Sequence, residues 1–167
     1  MLQLTQNKNK KMGKVSDAQL HKRIEGILKR HPNASSIKVR QRLMVDLRQS
    51  NLYVHLIPFY RQNRIDDSQD IQREISRMMR LSLGLSEIAR TLSSSCYNYL
   101  QVEKALLDLT AEFDHFAQAQ RCKDLRFGSG SPRDEDHQSE MVIGLQKLGH
   151  RLPDIWRVLR HANKRFS

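Results

Sequence analysis

Three observations predict that the protein is all-α, a multi-helix bundle. Apolar residues recur at intervals of three and four along most of the 167 residues, which is the spacing of one helix face. Helix-capping residues precede several of these stretches, and proline or glycine follows them. The most aromatic and β-branched segment, residues 51–60, is interrupted by Pro58, so we interpret it as a short, buried connecting helix.

The charge of the chain is strongly positive and unevenly distributed. Lys and Arg number 29 against 18 Asp and Glu, giving a net charge of +11 and a pI near 10.1. Residues 1–15 contribute +4 and residues 16–64 contribute +7, whereas residues 65–124 carry −3 and residues 125–167 carry +3. A surplus of this size is typical of proteins that bind a polyanion.

Several classes of protein are disfavoured by the sequence. It has no run of about 18 apolar residues that could span a bilayer and no apolar N-terminal stretch typical of a secretory signal. We therefore expect a cytoplasmic protein without membrane contact, associated with the nucleoid if bacterial. Cys96 and Cys122 lack the spacing of a zinc site, and the loops and motifs of common enzymes are absent. We expect neither cofactor nor enzymatic activity.

The N-terminal half divides into a flexible basic arm, residues 1–15, and a basic helical unit, residues 16–64. Ser16 and Gln19 have the spacing of a capping box and predict the start of a first helix. Ser35 or Ser36 is expected to cap a second helix. The two helices form a loose helix-turn-helix.

The central unit, residues 65–123, is predicted to contain a long packing or dimerisation helix. From Tyr99 the apolar positions recur at intervals of three and four, which is the a/d seam of a short coiled coil. The seam residues are Tyr99, Val102, Leu106, Leu109, Phe113 and Phe116. Such a seam packs against another helix of the same chain or of a second copy, so we expect a homodimer.

The C-terminal part consists of an exposed linker, residues 124–137, and a short helical unit, residues 138–167. A shift of 67 residues aligns the apolar positions of the central unit with those of the C-terminal unit, and GLSEIARTL then falls on RLPDIWRVL. The agreement predicts a degenerate repeat of the central unit. Trp156 replaces Ala89 in this second copy, and we expect it in the core.

The segment LSLGLSEIARTLSSSCYNYLQVEKALL, residues 81–107, has the residue pattern of two helices that cross closely. Ala89 lies where a small residue is needed, and the inter-helix core positions are filled by Ile88, Leu92, Tyr99 and Val102. The segment thereby resembles the helix-turn-helix superfamily of bacterial, phage and plasmid DNA-binding regulators. Serine favours helix N-caps, so we expect Ser95 to cap the second helix. The resemblance implies that base edges are contacted by Ser95, Tyr97, Asn98 and Gln101.

The sequence therefore predicts a sequence-specific double-stranded DNA-binding protein, a transcription regulator of bacterial, phage or mobile-element type. Phosphate contacts are expected from Lys38, Arg40, Arg42, Arg48, Arg157, Arg160, Lys164 and Arg165. RNA polymerase or another DNA-bound protein is a further candidate partner. Two alternatives remain open: an accessory protein that marks an origin of transfer, replication or partition, and a non-enzymatic helical adaptor that binds RNA or an acidic protein.

Overall fold

The computed structural model describes residues 15–43 and 49–164, and within these residues the chain forms nine helices and no strand. The prediction of an all-α bundle is confirmed. The helices are α1 (Asp17–Arg30), α2 (Ser36–Leu43), α3 (Gln49–Arg61), α4 (Ser68–Arg80), α5 (Leu85–Ser93), α6 (Tyr99–Glu112), α7 (His115–Phe127), α8 (Glu135–Lys147) and α9 (Leu152–Lys164).

Helices α1, α2 and α3 enclose the N-terminal core. The predicted capping box is present, because Ser16 Oγ accepts from the Gln19 N–H at 3.3 Å and Gln19 Oε1 accepts from the Ser16 N–H at 3.1 Å. The segment around Pro58 is helical as predicted, with Pro58 inside α3. The core residues include Leu20, Ile24, Ile27, Val39, Leu43, Leu52, Leu56 and Phe59.

Helices α4, α5 and α6 form the central unit, a three-helix arrangement around a second core. Its buried residues include Ile71, Ile75, Met78, Ile88, Leu92, Val102, Ala105 and Phe113. Three of the four apolar positions that the sequence assigned to the crossing of two helices, Ile88, Leu92 and Val102, are buried here. The assignment of Tyr99 is wrong, because it is 39% exposed at the first position of α6.

The predicted continuous seam from Tyr99 to Phe116 is wrong, because it does not lie on one helix. Helix α6 ends at Glu112, and Phe113 is extended with ψ 111°. Asp114 then caps a new helix by accepting a hydrogen bond from the Ala117 N–H at 2.9 Å. The restart divides the seam residues between the central core and helix α9.

The seam residues are accordingly divided between partners within the chain. Val102 and Phe113 are buried in the central core, and Leu106 and Leu109 pack against it. Phe116 lies on α7, where its ring centroid is 5.2 Å from that of His161 on α9. Most of the proposed dimer contact is therefore used inside the chain.

Helices α7, α8 and α9 form the C-terminal unit around Cys122, Met141, Leu145, Ile155 and Leu159. Helix α7 thus packs with the C-terminal helices, although the sequence had assigned most of it to the central unit. The segment without helix between α7 and α8 is 128–134, shorter than the predicted linker. Trp156 is 39% exposed, so its predicted core position is wrong. The inward face of α9 is filled by smaller apolar residues.

The predicted repeat is visible in the backbone. Helices α4 and α8 begin 67 residues apart, as do α5 and α9. The turn between the helices has the same pattern in both copies: Leu83 N–H donates to the Met78 carbonyl at 3.2 Å, and His150 N–H donates to the Leu145 carbonyl at 3.1 Å. The equivalent residues Ser82 and Gly149 both have positive φ, 58° and 88°.

These two turns pack directly against each other. Gly84 N–H donates to the Leu148 carbonyl at 2.8 Å, and His150 Nε2 lies 2.9 Å from the Ser82 carbonyl oxygen. A Cβ on Gly84 would lie 2.1 Å from the Gly149 carbonyl oxygen. Only glycine permits this approach of two backbones, which joins the central and C-terminal units.

The helices in the described part of the chain are all too short or too polar to cross a membrane.

Candidate nucleic-acid interface

The α1–α2 connection builds a basic surface near the N-terminus. Asn33, with φ 57°, reverses the chain after α1. Ser35 Oγ then accepts a hydrogen bond from the Lys38 N–H at 3.2 Å, so of the two predicted caps Ser35 starts α2. Neighbouring Ser36 is buried and serves another purpose.

The two faces of α2 differ sharply in charge. Ser36, Val39 and Leu43 are buried, whereas the exposed positions include three cations and no acid. The three cations are Lys38, Arg40 and Arg42, and within the described residues none of them forms an ion pair. In the part of the chain that the structure describes, this face is therefore open to an anion.

Gln41 occupies the centre of this exposed face. At about 100° per residue it points directly away from Val39 and Leu43, with Lys38 and Arg42 on one side and Arg40 on the other. Ile37, which packs against the central core, lies between Gln41 and Arg40. Gln41 was not among the residues singled out from the sequence. Its position opposite the buried residues of α2 is the signal that could have identified it.

The basic surface extends to the end of α1. Partial desolvation and the charges of Arg42, Lys38 and Arg30 lower the pKa of His31 below its usual range. The imidazole is therefore neutral at neutral pH, and several cationic side chains lie near it. The C-terminal end of α1 and the exposed side of α2 therefore form one positively charged surface around His31.

A buried carboxylate fixes the N-terminus of α2. Asp67 Oδ1 accepts from the Ser36 N–H and Asp67 Oδ2 accepts from Ser36 Oγ, both at 2.6 Å. Asp67 Oδ2 also accepts from the Asn98 N–H at 2.6 Å. Burial raises the pKa of Asp67, and the hydrogen bonds from Ser36 and Asn98 oppose that rise.

Tyr60 adds a second connection at the same point. Its hydroxyl lies 3.0 Å from Ser36 Oγ and donates to the carbonyl of Cys96 in the α5–α6 turn. Arg40 is close enough to affect the pKa of Cys96, which burial raises. The basic helix α2 is thus held against the turn of the central unit.

The four residues predicted to contact base edges lie around this connection, where Tyr97 and Asn98 are buried and Ser95 and Gln101 are half-buried. Helix α6 begins at Tyr99, and Asn98 is its N-cap, accepting from the Leu100 N–H at 3.1 Å. The prediction that Ser95 caps this helix is wrong, because Ser95 Oγ donates to the Leu92 carbonyl at 2.6 Å instead. Asn98 is 3% exposed, so its predicted projection outward is also wrong.

The other two predicted base-reading side chains are also engaged within the chain. Tyr97 is 8% exposed. Gln101 Oε1 accepts from the Asp67 N–H at 2.6 Å, and Gln101 Nε2 donates to Asp66 at 2.9 Å. The bonds of Gln101 position the start of α6 and occupy its amide, whereas burial leaves little of the Tyr97 side chain for another molecule.

The exposed side of α6 is acidic and apolar. It carries Glu103, Asp108 and Glu112 against a single cation, Lys104. Leu100 and Leu107 are 49% and 67% exposed on the same helix. A DNA backbone would be repelled by this surface.

The predicted phosphate contacts near the C-terminus lie on one side of α9. Arg157, Arg160 and Lys164 are exposed and spaced so that they share this side. The Arg157 guanidinium also lies over the Phe116 ring, 4.5 Å from its centroid. Arg48 and Arg165 lie outside the described residues.

No protein-family model matches the sequence, and no curated protein is significantly similar to it. Within the described residues, no three His, Cys, Asp or Glu side chains are placed together as metal ligands.

Proposed function

We propose that the protein binds double-stranded DNA and that α2 is the helix that enters the major groove. The observation that carries this proposal is the exposed face of α2, where Gln41 lies between Lys38 and Arg42 on one side and Arg40 on the other. The major groove of B-DNA, about 12 Å wide, admits one helix. The flanking cations would then meet phosphates on both strands.

Gln41 supplies the group that could read a base. A Gln side chain can form two hydrogen bonds to the N6 and N7 atoms of adenine. The buried bonds from Ser36 to Asp67 hold α2 in a fixed position, which base reading requires. We infer that sequence-specific regulation of transcription, by a protein of bacterial, phage or mobile-element type, is the role that this arrangement serves.

The charge of α6 supports assigning the reading helix to α2. Three acids on α6 would oppose the phosphate backbone, and the polar groups at its start are bonded to Asp66 and Asp67. The cations of α9 would add sequence-independent attraction if they reach the same duplex.

Fluorescence anisotropy distinguishes duplex DNA from the other polyanions. We expect binding to labelled duplex DNA that is tighter than binding to single-stranded RNA or to a polyglutamate peptide of equal charge. Tighter binding to RNA or to the peptide would overturn the proposal in favour of an adaptor. Crosslinking to DNA across the genome then separates the roles: sites upstream of promoters support regulation, and one site at an origin supports the accessory role.

Selection from a random duplex pool tests base reading. We expect an enriched site, at which Gln41→Ala costs about 1–3 kcal/mol of binding free energy and much less on random DNA. Gln72→Ala is the matched control, because Gln72 is an exposed glutamine on α4. Equal effects of the two variants at the selected site would contradict the role of Gln41.

A further inference from the structure

An apolar groove lies along α6, at the edge of the central core, and Leu92 and Val102 of that core form part of its floor. Its volume is about 380 Å³, and it is lined by side chains from the end of α5, from α6 and from Tyr53 of α3. Ligand pockets usually have volumes of about 300–1,000 Å³ and apolar walls with a few polar groups. The groove has the size and lining of a small-molecule site.

Three tyrosines form its aromatic walls. Tyr53 and Tyr99 meet nearly at right angles, with ring centroids 6.5 Å apart, and Tyr97 lies between α5 and α6. Burial raises the pKa of Tyr97 to about 12, so its hydroxyl stays neutral in physiological conditions. Tyr97 therefore contributes an aromatic wall without phenolate charge.

The charge around the groove is negative. Glu103 is the single charged side chain among the described residues that line it. The lining residues other than Tyr53 belong to the part of the chain where acids exceed bases, residues 65–124, with ten against seven. A nucleic acid or an anionic metabolite would be repelled, whereas a cation would be attracted.

We propose that this groove binds a small apolar cation, such as an aromatic or quaternary ammonium compound. Aromatic faces attract a cation through their quadrupole, and the Leu106 and Leu107 side chains provide contact for its hydrocarbon part. Glu103 at the groove neutralises the charge. The proposal does not depend on DNA binding, because the groove and α2 are separate surfaces.

Benzyltrimethylammonium and neopentylbenzene form a matched pair of probes, since they share a shape and differ in one charge. Amide chemical shifts of the labelled full-length protein would locate binding and measure the dissociation constants. We expect the cation to bind more tightly than the neutral probe, with the largest shifts between residues 97 and 110. Equal affinity of the two probes, or no binding of either, would overturn the proposal.

Two variants test which groups select the cation. Glu103→Gln should weaken binding of the cation about two- to five-fold and leave binding of the neutral probe unchanged. Glu112→Gln is the control, because Glu112 is an exposed acid on the same helix outside the groove. Tyr99→Leu keeps an apolar side chain at this position but removes the aromatic ring. It should weaken binding of the cation about two- to five-fold more than binding of the neutral probe. An equal effect of Glu103→Gln and Glu112→Gln would contradict the site even if the tyrosine variant fails to fold.

Discussion

Asp67 accepts a hydrogen bond from the backbone N–H of Asn98 at 2.6 Å, although 31 residues separate them. The same carboxylate accepts both the N–H and the hydroxyl of Ser36. The starts of α2, α4 and α6 are therefore tied to one buried side chain. This connection makes the polar residues before α6 structural and leaves α2 as the exposed basic helix beside them.

Asn98 should accordingly affect stability more than DNA specificity. Asn98→Ala removes the cap of α6, and we expect the free energy of unfolding in urea to fall by about 1–2 kcal/mol. Asn98→Ser keeps an acceptor at this position and should lose less. If Asn98→Ala leaves stability unchanged but removes the preference for the selected DNA site over random DNA, then α6 and not α2 reads the bases.

The contact between the two repeated turns should tolerate no side chain at Gly84. Its added Cβ would overlap the backbone of Gly149, which cannot rotate away, so Gly84→Ala should cost about 1–3 kcal/mol or more. Gly26→Ala is the control. Nothing lies within 4 Å of a Cβ there, and alanine inside α1 should raise stability by about 0.5–1 kcal/mol. Urea midpoints that change equally in both variants would contradict the tight approach of the turns.

A fall in pH should destabilise the contact between the two repeated turns, because His150 in this contact becomes protonated. Burial lowers the pKa of His150, while the Ser82 carbonyl and Asp154 act to raise it and His115 acts to lower it. The folded state therefore binds fewer protons than the unfolded state, and the free energy of unfolding falls as pH drops below about 6.5 toward the folded pKa.

Replacing His150 should reduce this pH dependence. His150→Gln removes the titrating group, so between about pH 7 and about pH 5 the variant should lose less stability than the wild type. Thermal unfolding at several pH values measures the difference. Parallel stability curves would mean that another group is responsible.

DNA binding should raise the pKa of His31. In the free protein the charges of Arg42, Lys38 and Arg30 contribute to its lowered pKa, and phosphates near those cations would offset their repulsion. The imidazole proton signals in free and DNA-bound protein report this change. His115 is the internal control, because burial and Arg151 lower its pKa in the C-terminal half. A His31 pKa that is unchanged or falls on binding would contradict an interface at α2.

Local patterns predicted the parts of the fold that depend on neighbouring residues. The capping box of Ser16 and Gln19 is present as predicted, and so is the repeat of the helix pair at an offset of 67 residues. The N-cap of α6 was missed because several small polar residues between 93 and 98 could cap a helix. Asn98 is fixed at the start of α6 by the hydrogen bond from its N–H to Asp67, a residue distant in sequence.

The break between α6 and α7 was missed for a related reason. The spacing of apolar residues continues from Phe113 to Phe116, yet the first fills the central core and the second packs against α9. The spacing of apolar residues predicts that a side chain is buried, but it does not predict which other residues the side chain packs against. Gln41, by contrast, could have been found from the helical positions of Val39 and Leu43 alone.

The most direct test of the central claim is the salt dependence of duplex binding. Each phosphate contact contributes about 0.9 to the slope of log affinity against log salt concentration, so removing Lys38, Arg40 and Arg42 together should reduce the slope by about 2.7. The control variant replaces Arg73, Arg77 and Arg90 by alanine. It removes the same net charge from side chains that already pair with acids on α4 and α5. We predict a large reduction in slope for the α2 variant and a small one for the control. Equal slopes in the wild type and the α2 variant, or a larger reduction in the control, would contradict DNA binding by α2.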